Sequence, residues 1–145
     1  MHAFPHFYQA SVLANPENPL TTSCKQFPSI QVSPPVEFGG AGTEWSPEEL
    51  LMASIADCLV LSFRAISKIA NFEWLNIECE SRGELDKIER KILFTKVYTK
   101  AVLTVSDGAD VKKAEALLSK AEQACFITNS LNSESFFECE VVIAD

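Results

Sequence analysis

Basic side chains are scarce in this sequence. It carries 12 Lys and Arg residues against 20 Asp and Glu residues, and its formal net charge is −8 at pH 7. A surface with this excess of negative charge repels nucleic-acid phosphates and anionic lipid head groups. The composition therefore argues against nucleic acid and against a membrane surface as partners.

The sequence also lacks the features of an exported or membrane-spanning chain. Its first residues, MHAFPHFYQ, contain no positively charged segment followed by an apolar one, as a secretory signal would. The one long apolar stretch, residues 50–66, is interrupted by polar side chains, which favours a buried helix over a membrane span. These interruptions are Ser54, Asp57, Ser62 and Arg64. We therefore expect a cytoplasmic protein.

Cysteine spacings typical of a metal site are absent too. The chain has five cysteines, an odd number, and in a reducing compartment this does not indicate a disulfide framework. Cys24, Cys79 and Cys139 fall on strand-like segments, and no two cysteines form a C-x-x-C pattern. Packing in a core or sheet is the better account of these three. We predict neither a metal nor a cofactor.

The pattern of apolar residues predicts a single α+β domain over residues 1–145, a length that can bury a sufficient core. Ser46, Pro47 and the two acids after them are typical of a helix N-terminus. The predicted elements are short strands within 4–36, a helix from Pro47 to about 70, strands at 74–85 and 92–105, a helix at 109–124 and a strand at 136–143. The order is βββ-α-ββ-α-β.

The first predicted helix is apolar on nearly all of its sides from Leu50 to Ile66. A helix of this kind is not a surface helix, because no side of it suits water. We expect it to pass through the middle of the protein or of a dimer, with the strands wrapped around it.

Two cysteines lie in contrasting surroundings. Cys58 is in the middle of the apolar run LLMASIADCLVLSF, and Cys125 stands where a helical pattern gives way to the turn-like stretch ITNSLNS. Reduction of a peroxide by thiols needs one thiolate to attack the O–O bond and a second thiol to resolve the sulfenic acid. These two cysteines could fill the two roles. The alternative is that both are packing residues.

The segments around both cysteines resemble a known family. SPEELLMASIADCLVLSFRAI resembles the central helix of the OsmC/Ohr family, the osmotically inducible and organic hydroperoxide resistance proteins, in which a cysteine stands ten residues after a glutamate. Here these residues are Glu48 and Cys58. KAEQACFITNSL resembles the second motif of the family, with Cys125 followed by the turn residues Asn129, Ser130 and Leu131.

The resemblance implies an intertwined homodimer with an OsmC-like fold. It also implies a thiol peroxidase that reduces organic hydroperoxides to alcohols through a Cys58–Cys125 disulfide, with Glu48 as a third site residue. A dithiol such as a lipoyl group would then reduce the disulfide again.

Helix geometry bears on the role of Glu48. Ten residues along a straight helix correspond to a rise of about 15 Å and leave the two side chains about 80° apart around the axis. Glu48 therefore cannot touch Cys58 of its own helix, and a second chain must supply one of them if both serve one site. The alternative is that Glu48 only stabilises the helix dipole, by about 0.3–1 kcal/mol.

The chain departs from the family at one position. Catalytically competent members place an N-terminal arginine beside the reactive cysteine, where it favours the thiolate, but this chain has no arginine before Arg64. The candidate substitutes are Lys25, the only Lys or Arg in residues 1–63, the weaker bases His2 and His6, and Arg64 of either chain. Arg64 is about 120° around the axis from Cys58 on their shared helix.

Three functions are compatible with these residues. The first is an organic hydroperoxide reductase in which Cys58 attacks, Cys125 resolves and Glu48 orients a cation. The second is a non-catalytic protein of the same fold that binds a small apolar ligand at a dimer interface. The third is a thiol redox sensor that forms the disulfide without turnover.

Overall fold

The computed structural model of the chain describes residues 2–145 and has the mixed α+β fold that the sequence predicts. Three short strands precede a long helix, and two long strands, a second helix and a last strand follow it. Two short elements add to the predicted order, a 3₁₀ turn at Val36–Phe38 and a one-turn helix at Phe126–Asn129. The chain divides into two compact units, Met1–Leu50 and Leu51–Asp145.

The first unit contains a small antiparallel sheet in the order β1-β2-β3. Its strands are β1, Ser11–Leu13, β2, Leu20–Ser23, and β3, Ile30–Val32. The turn between β1 and β2 is stabilised by Asn15, whose side-chain oxygen accepts hydrogen bonds from the backbone N–H groups of Glu17 and Asn18. Asparagine bonded to the following backbone in this way is a common turn former.

The long helix, α1, spans Pro47–Ile69 and begins with a capping box. Ser46 Oγ accepts a hydrogen bond from the backbone N–H of Glu49 at 3.2 Å, and the Glu49 carboxylate accepts one from the backbone N–H of Ser46 at 2.9 Å. This reciprocal pair satisfies two donors that a helix start otherwise leaves free. The predicted N-cap serine is thereby confirmed.

Helix α1 buries only one stripe of its surface within the chain. The buried residues are Ile55, Leu59, Phe63 and Ser67, which follow one another at intervals of four and so lie on one side of the helix. Other apolar side chains are exposed, among them Leu61 at 56% and Ile69 at 83%. In residues 2–145, α1 is the one helix long and apolar enough to cross a bilayer, a criterion that core helices of soluble proteins also meet.

The second unit contains a larger sheet in the order β4-β5-β6. Strands β4, Asn76–Ile88, and β5, Lys91–Val105, form an antiparallel hairpin, and β6, Glu134–Ile143, pairs with β5 in parallel. Alternate residues of β5 are buried because successive side chains of a strand point to opposite faces. They are Val97, Thr99, Ala101, Leu103 and Val105.

Helix α2, Val111–Gln123, connects β5 to β6. Its N-cap is Asp110, whose carboxylate accepts a hydrogen bond from the backbone N–H of Lys113 at 3.0 Å. Its buried side chains Ala114, Leu118 and Ala121 lie on one face and pack with Leu59 and Phe63 of α1 against the inner face of the sheet. This core fixes α1 and α2 against the sheet, and it thereby positions the two motif cysteines.

Candidate functional site

Cys125 lies at the junction of two helices. Helix α2 ends at Gln123, and the one-turn helix α3, Phe126–Asn129, begins directly after Cys125. The backbone N–H of Cys125 donates to the carbonyl of Glu122 at 3.1 Å, and its carbonyl accepts from the N–H of Asn129 at 3.0 Å. Cys125 thus occupies the N-cap position of α3, but its side chain makes no capping hydrogen bond there. The residue is instead buried, with 1% of its surface exposed.

The Cys125 sulfur has two polar contacts. The hydroxyl of Thr128 donates a hydrogen bond to it at 3.2 Å, and the thiol itself donates to the backbone carbonyl of Ile55 at 3.9 Å. Ile55 and Cys58 are three residues apart on α1, so they are neighbours on one side of the helix. The contact with Ile55 therefore directs the Cys125 sulfur towards Cys58.

Cys58 and Cys125 are brought together by this packing. Burial is the largest cause of the raised pKa of Cys125, and the nearby Cys58 thiol raises that pKa further. Cys58 is partly exposed, whereas Cys125 is buried. All five cysteines of the described chain are free thiols. The fold thus juxtaposes one accessible and one inaccessible thiol across 67 positions of sequence.

The pKa of the Cys125 thiol is raised from its ordinary value. Burial is the largest cause, since a thiolate is poorly solvated in apolar surroundings. Hydrogen bonds from the Thr128 side chain and backbone act in the opposite direction and lower the pKa, because they stabilise the thiolate. Thr128 is therefore the group that partly offsets the effect of burial.

A third thiol belongs to the same region. Cys79 lies on the inner face of the sheet, where it is paired with Ala101 and packs against the core. Its pKa is raised to about 11, most by burial and then by the charges of Cys125 and Asp57. Cys79 was predicted to be a packing residue, and its surroundings keep it protonated at neutral pH.

The two remaining cysteines lie elsewhere. Cys139 is on β6 opposite Ala101, and its pKa is raised by burial and by Glu115. Cys24 belongs to the first unit, where it follows the last residue of β2 and its thiol donates to the carbonyl of Gln9 at 3.3 Å. It therefore lies just beyond the strand and is not a strand residue. Within residues 2–145, no group of three or more His, Cys, Asp or Glu residues is arranged to hold a metal ion.

Glu48 is in the first turn of α1 but takes no part in the capping box, which uses Glu49. Its Oε2 atom is buried and has no hydrogen-bond partner among residues 2–145. An unpartnered buried carboxylate oxygen costs free energy, and most such atoms in proteins have a partner. A purely structural role at the helix start does not explain this arrangement.

The candidate cations are found in exposed positions. Arg64 is exposed on α1, and Lys25 is exposed in a turn of the first unit, with a φ of 50°. His2 and His6 are exposed too, and the ring Nε2 of His6 lies 3.1 Å from the carbonyl oxygen of His2. Within Leu51–Asp145, no Lys or Arg is among the groups that shift the pKa of Cys79 or Cys125. The cation at Cys58 stays a prediction.

Sequence reasoning overlooked Thr128. Its position three residues after Cys125 is a detectable signal, since the side chains of an N-cap residue and of the third helical residue often meet. Here the donor is the later residue and the acceptor is the sulfur of the N-cap residue. The carbonyl of Ile55, by contrast, leaves no signal in the sequence.

Comparisons with known proteins agree with this fold. The family model described as OsmC-like protein matches residues 39–140 of the chain. Among curated proteins, the chain is similar to the uncharacterized protein YmaD of Bacillus subtilis, with 23% identity over 141 residues that cover 95% of this chain and 94% of that protein.

Solved structures are similar over almost the whole chain. An OsmC-like protein of unknown function from Vibrio cholerae has a TM-score of 0.83 at 20% identity and covers 93% of this chain and 99% of its own. An organic hydroperoxide resistance protein from Legionella pneumophila has a TM-score of 0.73 at 21% identity, covering 95% and 99%. One from Elizabethkingia anophelis, with thiocyanate bound, has a TM-score of 0.75 at 19% identity, covering 97% and 100%. At these identities the likeness establishes the fold alone.

Proposed function

The chain belongs to the family of OsmC-like proteins, and on this basis we propose that it is a thiol peroxidase that reduces organic hydroperoxides to alcohols. The observation that carries the proposal is the position of the Cys125 sulfur, which lies 3.9 Å from the carbonyl oxygen of Ile55, one helical turn before Cys58, and near enough to Cys58 for that thiol to raise its pKa. The names of the relatives from Legionella pneumophila and Elizabethkingia anophelis, both called organic hydroperoxide resistance proteins, support the same substrate class.

The first half of the reaction is oxidation of the thiol pair. The Cys58 thiolate attacks the terminal oxygen of the hydroperoxide, the O–O bond breaks, and the alcohol leaves after taking up a proton. Cys58 becomes a sulfenic acid. The Cys125 thiol then attacks the Cys58 sulfur, releases water and forms the disulfide. The peroxide has gained the two electrons that the two thiols have lost.

Burial suits the two thiols to these separate steps. Cys58 is partly exposed and can meet a peroxide from solution, whereas Cys125 is buried and is protected from direct oxidation. Because the Cys125 sulfur lies against the Ile55 carbonyl, one helical turn from Cys58, resolution needs only a short movement. A fast resolution protects the sulfenic acid from further, irreversible oxidation.

The proposal includes a homodimer. The chain leaves Leu61 and Ile69 of its apolar helix exposed, and only one stripe of the 23-residue helix α1 is buried. Apolar surface of this kind is typical of an interface. Since Glu48 cannot reach Cys58 of its own helix, we propose that its buried carboxylate orients a cation at the Cys58 of a second chain.

Reduction of the disulfide completes the cycle. We propose a dithiol reductant, such as a dihydrolipoyl group, which fits a cytoplasmic location where thiols are kept reduced. The dithiol is oxidised to its cyclic disulfide while Cys58 and Cys125 return to thiols.

One equivalent of cumene hydroperoxide tests the proposal. We expect peptide mass spectrometry to find a Cys58–Cys125 disulfide within seconds, and we expect continued peroxide consumption when dihydrolipoamide is present. Cys139→Ser is the matched control, because it removes a different partly buried thiol, on strand β6, and should leave both results unchanged. If Cys58 stays a thiol under excess peroxide, the peroxidase proposal is wrong. That result would favour the alternative of a non-catalytic protein that binds a small apolar ligand.

A thiol redox sensor is the second candidate. The observation that favours it is the raised pKa of Cys125, together with the absence of a Lys or Arg among the groups in Leu51–Asp145 that shift this pKa. Such a protein would form the disulfide but consume no more than one equivalent of peroxide in the presence of dihydrolipoamide. Steady-state peroxide consumption therefore distinguishes the two functions.

A further inference from the structure

The Cys125 sulfur lies in a turn that several hydrogen bonds stabilise. Its contacts are the Thr128 hydroxyl at 3.2 Å and the Ile55 carbonyl at 3.9 Å. The turn itself is fixed by the Asn129 side chain, which donates to the carbonyl of Gln123 at 2.9 Å, and by Ser130, whose hydroxyl donates to the carbonyl of Phe126 at 2.7 Å. The Thr128 hydroxyl is therefore set in place by the local backbone.

The two sulfurs differ in their access to solvent. Cys125 has 1% of its surface exposed, whereas Cys58 is partly exposed. An attacking thiolate must approach a disulfide along the S–S axis, and only a sulfur that it can reach will be attacked. In a Cys58–Cys125 disulfide the reachable sulfur is that of Cys58. Cys125 must then be the sulfur that leaves.

We propose that the Thr128 hydroxyl is the hydrogen-bond donor that receives Cys125 as the leaving thiolate, so that every reductant enters at Cys58. This inference deepens the proposed function and depends on the Cys58–Cys125 disulfide that it contains. Thr128 touches one of the reacting atoms, at a distance suited to an O–H···S hydrogen bond. A hydrogen bond to the charged form of a thiol favours that form.

The step is a balanced thiol–disulfide exchange. A reductant thiolate attacks the Cys58 sulfur and forms a mixed disulfide with it, the S–S bond to Cys125 breaks, and its electron pair stays on Cys125. The new thiolate accepts the Thr128 hydrogen bond and then a proton from the second thiol of the reductant. That second thiol, now a thiolate, attacks the mixed disulfide, releases the Cys58 thiolate and leaves the reductant as a cyclic disulfide.

The direction of the pKa effects supports this role. Burial raises the pKa of Cys125, which makes it a poorer leaving group, and the hydrogen bonds from Thr128 act against that rise. Since a thiol of lower pKa leaves faster, removing the hydroxyl should slow reduction of the disulfide. It should have much less effect on the formation of the disulfide, in which Cys125 is the attacking thiol.

The test begins from the disulfide formed with diamide, so that it does not require peroxidase activity. Reduction by excess dihydrolipoamide is followed by acid quenching and mass spectrometry of the full chain. We expect Thr128→Val to slow the reduction about tenfold, and Thr128→Ser, which keeps the hydroxyl, to restore the rate to within about twofold. Thr104→Val is the matched control, because Thr104 lies on the face of β5 opposite to its buried residues. The disulfide of this variant should be reduced at the wild-type rate.

A second measurement identifies the sulfur that is attacked. Glutathione has a single thiol, so its attack on the Cys58–Cys125 disulfide leaves it bound to the attacked cysteine as a mixed disulfide. We expect peptide mass spectrometry to find glutathione on Cys58 in the wild type and in Thr128→Val. Glutathione on Cys125, or an unchanged rate in Thr128→Val, overturns the inference. If the protein consumes no peroxide but its diamide-formed disulfide is still reduced as described, the proposed function is wrong and the inference about Thr128 stands. If diamide forms no Cys58–Cys125 disulfide, both are wrong.

Discussion

The sulfur of Cys125 lies 3.9 Å from the carbonyl oxygen of Ile55, one helical turn before Cys58 on α1. This contact crosses 70 positions of sequence. It exists because α2 and α1 pack through their small and apolar side chains against the same face of the sheet. The relationship explains why a thiol at the end of one helix meets a thiol in the middle of another, and the predictions below depend on it.

Loss of the resolving thiol should stop turnover. In Cys125→Ser the sulfenic acid on Cys58 has no thiol partner at the site, so we expect one equivalent of peroxide to be consumed and then slow oxidation to the sulfinic acid. Intact-mass measurement should show the gain of one and then two oxygen atoms. Continued turnover with dihydrolipoamide at the wild-type rate would show that Cys125 does not resolve.

The two acids at the start of α1 should separate stability from activity. Glu49→Ala removes the capping box and should lower the free energy of unfolding by about 1 kcal/mol while leaving peroxide consumption unchanged. Glu48→Gln removes a buried carboxylate that has no partner in the described chain, so stability should not fall. We expect its peroxide consumption to fall roughly 10- to 100-fold, because a cation would be misplaced.

Denaturant unfolding and steady-state assays on the same preparations measure both quantities. If Glu48→Gln retains wild-type activity, the carboxylate has no part in the proposed site. If it loses stability as Glu49→Ala does, its role is structural.

Cys79 should make the stability of the protein depend on alkaline pH. Its pKa in the folded chain is about 11, above the ordinary value of 9.0, so between these values the unfolded chain loses the proton first. The stabilising contribution is therefore fully present below about pH 9 and is lost as the pH rises through 11. Because Cys79 is only partly buried and solvent screens part of the effect, between pH 8 and pH 10.5 the wild type should lose about 1 kcal/mol more of its free energy of unfolding than Cys79→Ala does.

Urea unfolding of both proteins at the two pH values gives this difference directly. Cys125 and Cys139 also have raised pKa values, but they are present in both proteins, so their own burial effects cancel and only the interaction of Cys125 with Cys79 enters the difference. Equal losses in wild type and Cys79→Ala would mean that the Cys79 thiol is no harder to ionise in the folded chain than in the unfolded one.

The exposed apolar side of α1 should hold a dimer together. Leu61→Lys places a charge on a side chain that is 56% exposed in the single chain, and a buried unpaired charge at an interface costs several kcal/mol. We expect analytical ultracentrifugation to find a dimer for the wild type and mostly monomer for Leu61→Lys. Ala116→Lys, at an exposed position of α2, is the control and should remain dimeric. A wild-type monomer at micromolar concentration would contradict the homodimer.

Much of the fold could be predicted from local patterns. Ser46 followed by Pro47 and two acids predicted the start of α1, because an N-cap hydrogen bond joins residues only three apart. The later strands and helices have bounds within three residues of those predicted, since alternation and helical periodicity are local as well. Helix α3 was not predicted, because a single turn carries no periodic signal.

The site could be predicted only in part. The motifs around Cys58 and Cys125 marked both residues, and the spacing from Ser46 marked Glu49 as the acid of the capping box. The chain alone could not say that an oxygen of Glu48 is buried without a hydrogen-bond partner in the described chain, because that depends on the rotamers and packing of the folded helix start. The raised pKa of Cys79 could not be predicted either. The alternating pattern of β4 indicated only a packing residue, and it is the fold that buries Cys79 and places it near Cys125.

The sequence by itself determined the order of the elements, the α+β class and the two cysteines of interest, since each of these depends on residues close to one another along the chain. The tertiary structure decided that Cys125 is buried, that Thr128 and the Ile55 carbonyl contact its sulfur, and that this sulfur lies near Cys58. Contacts across so many residues arise from the burial of apolar surface between whole elements. No local pattern encodes where two such surfaces meet.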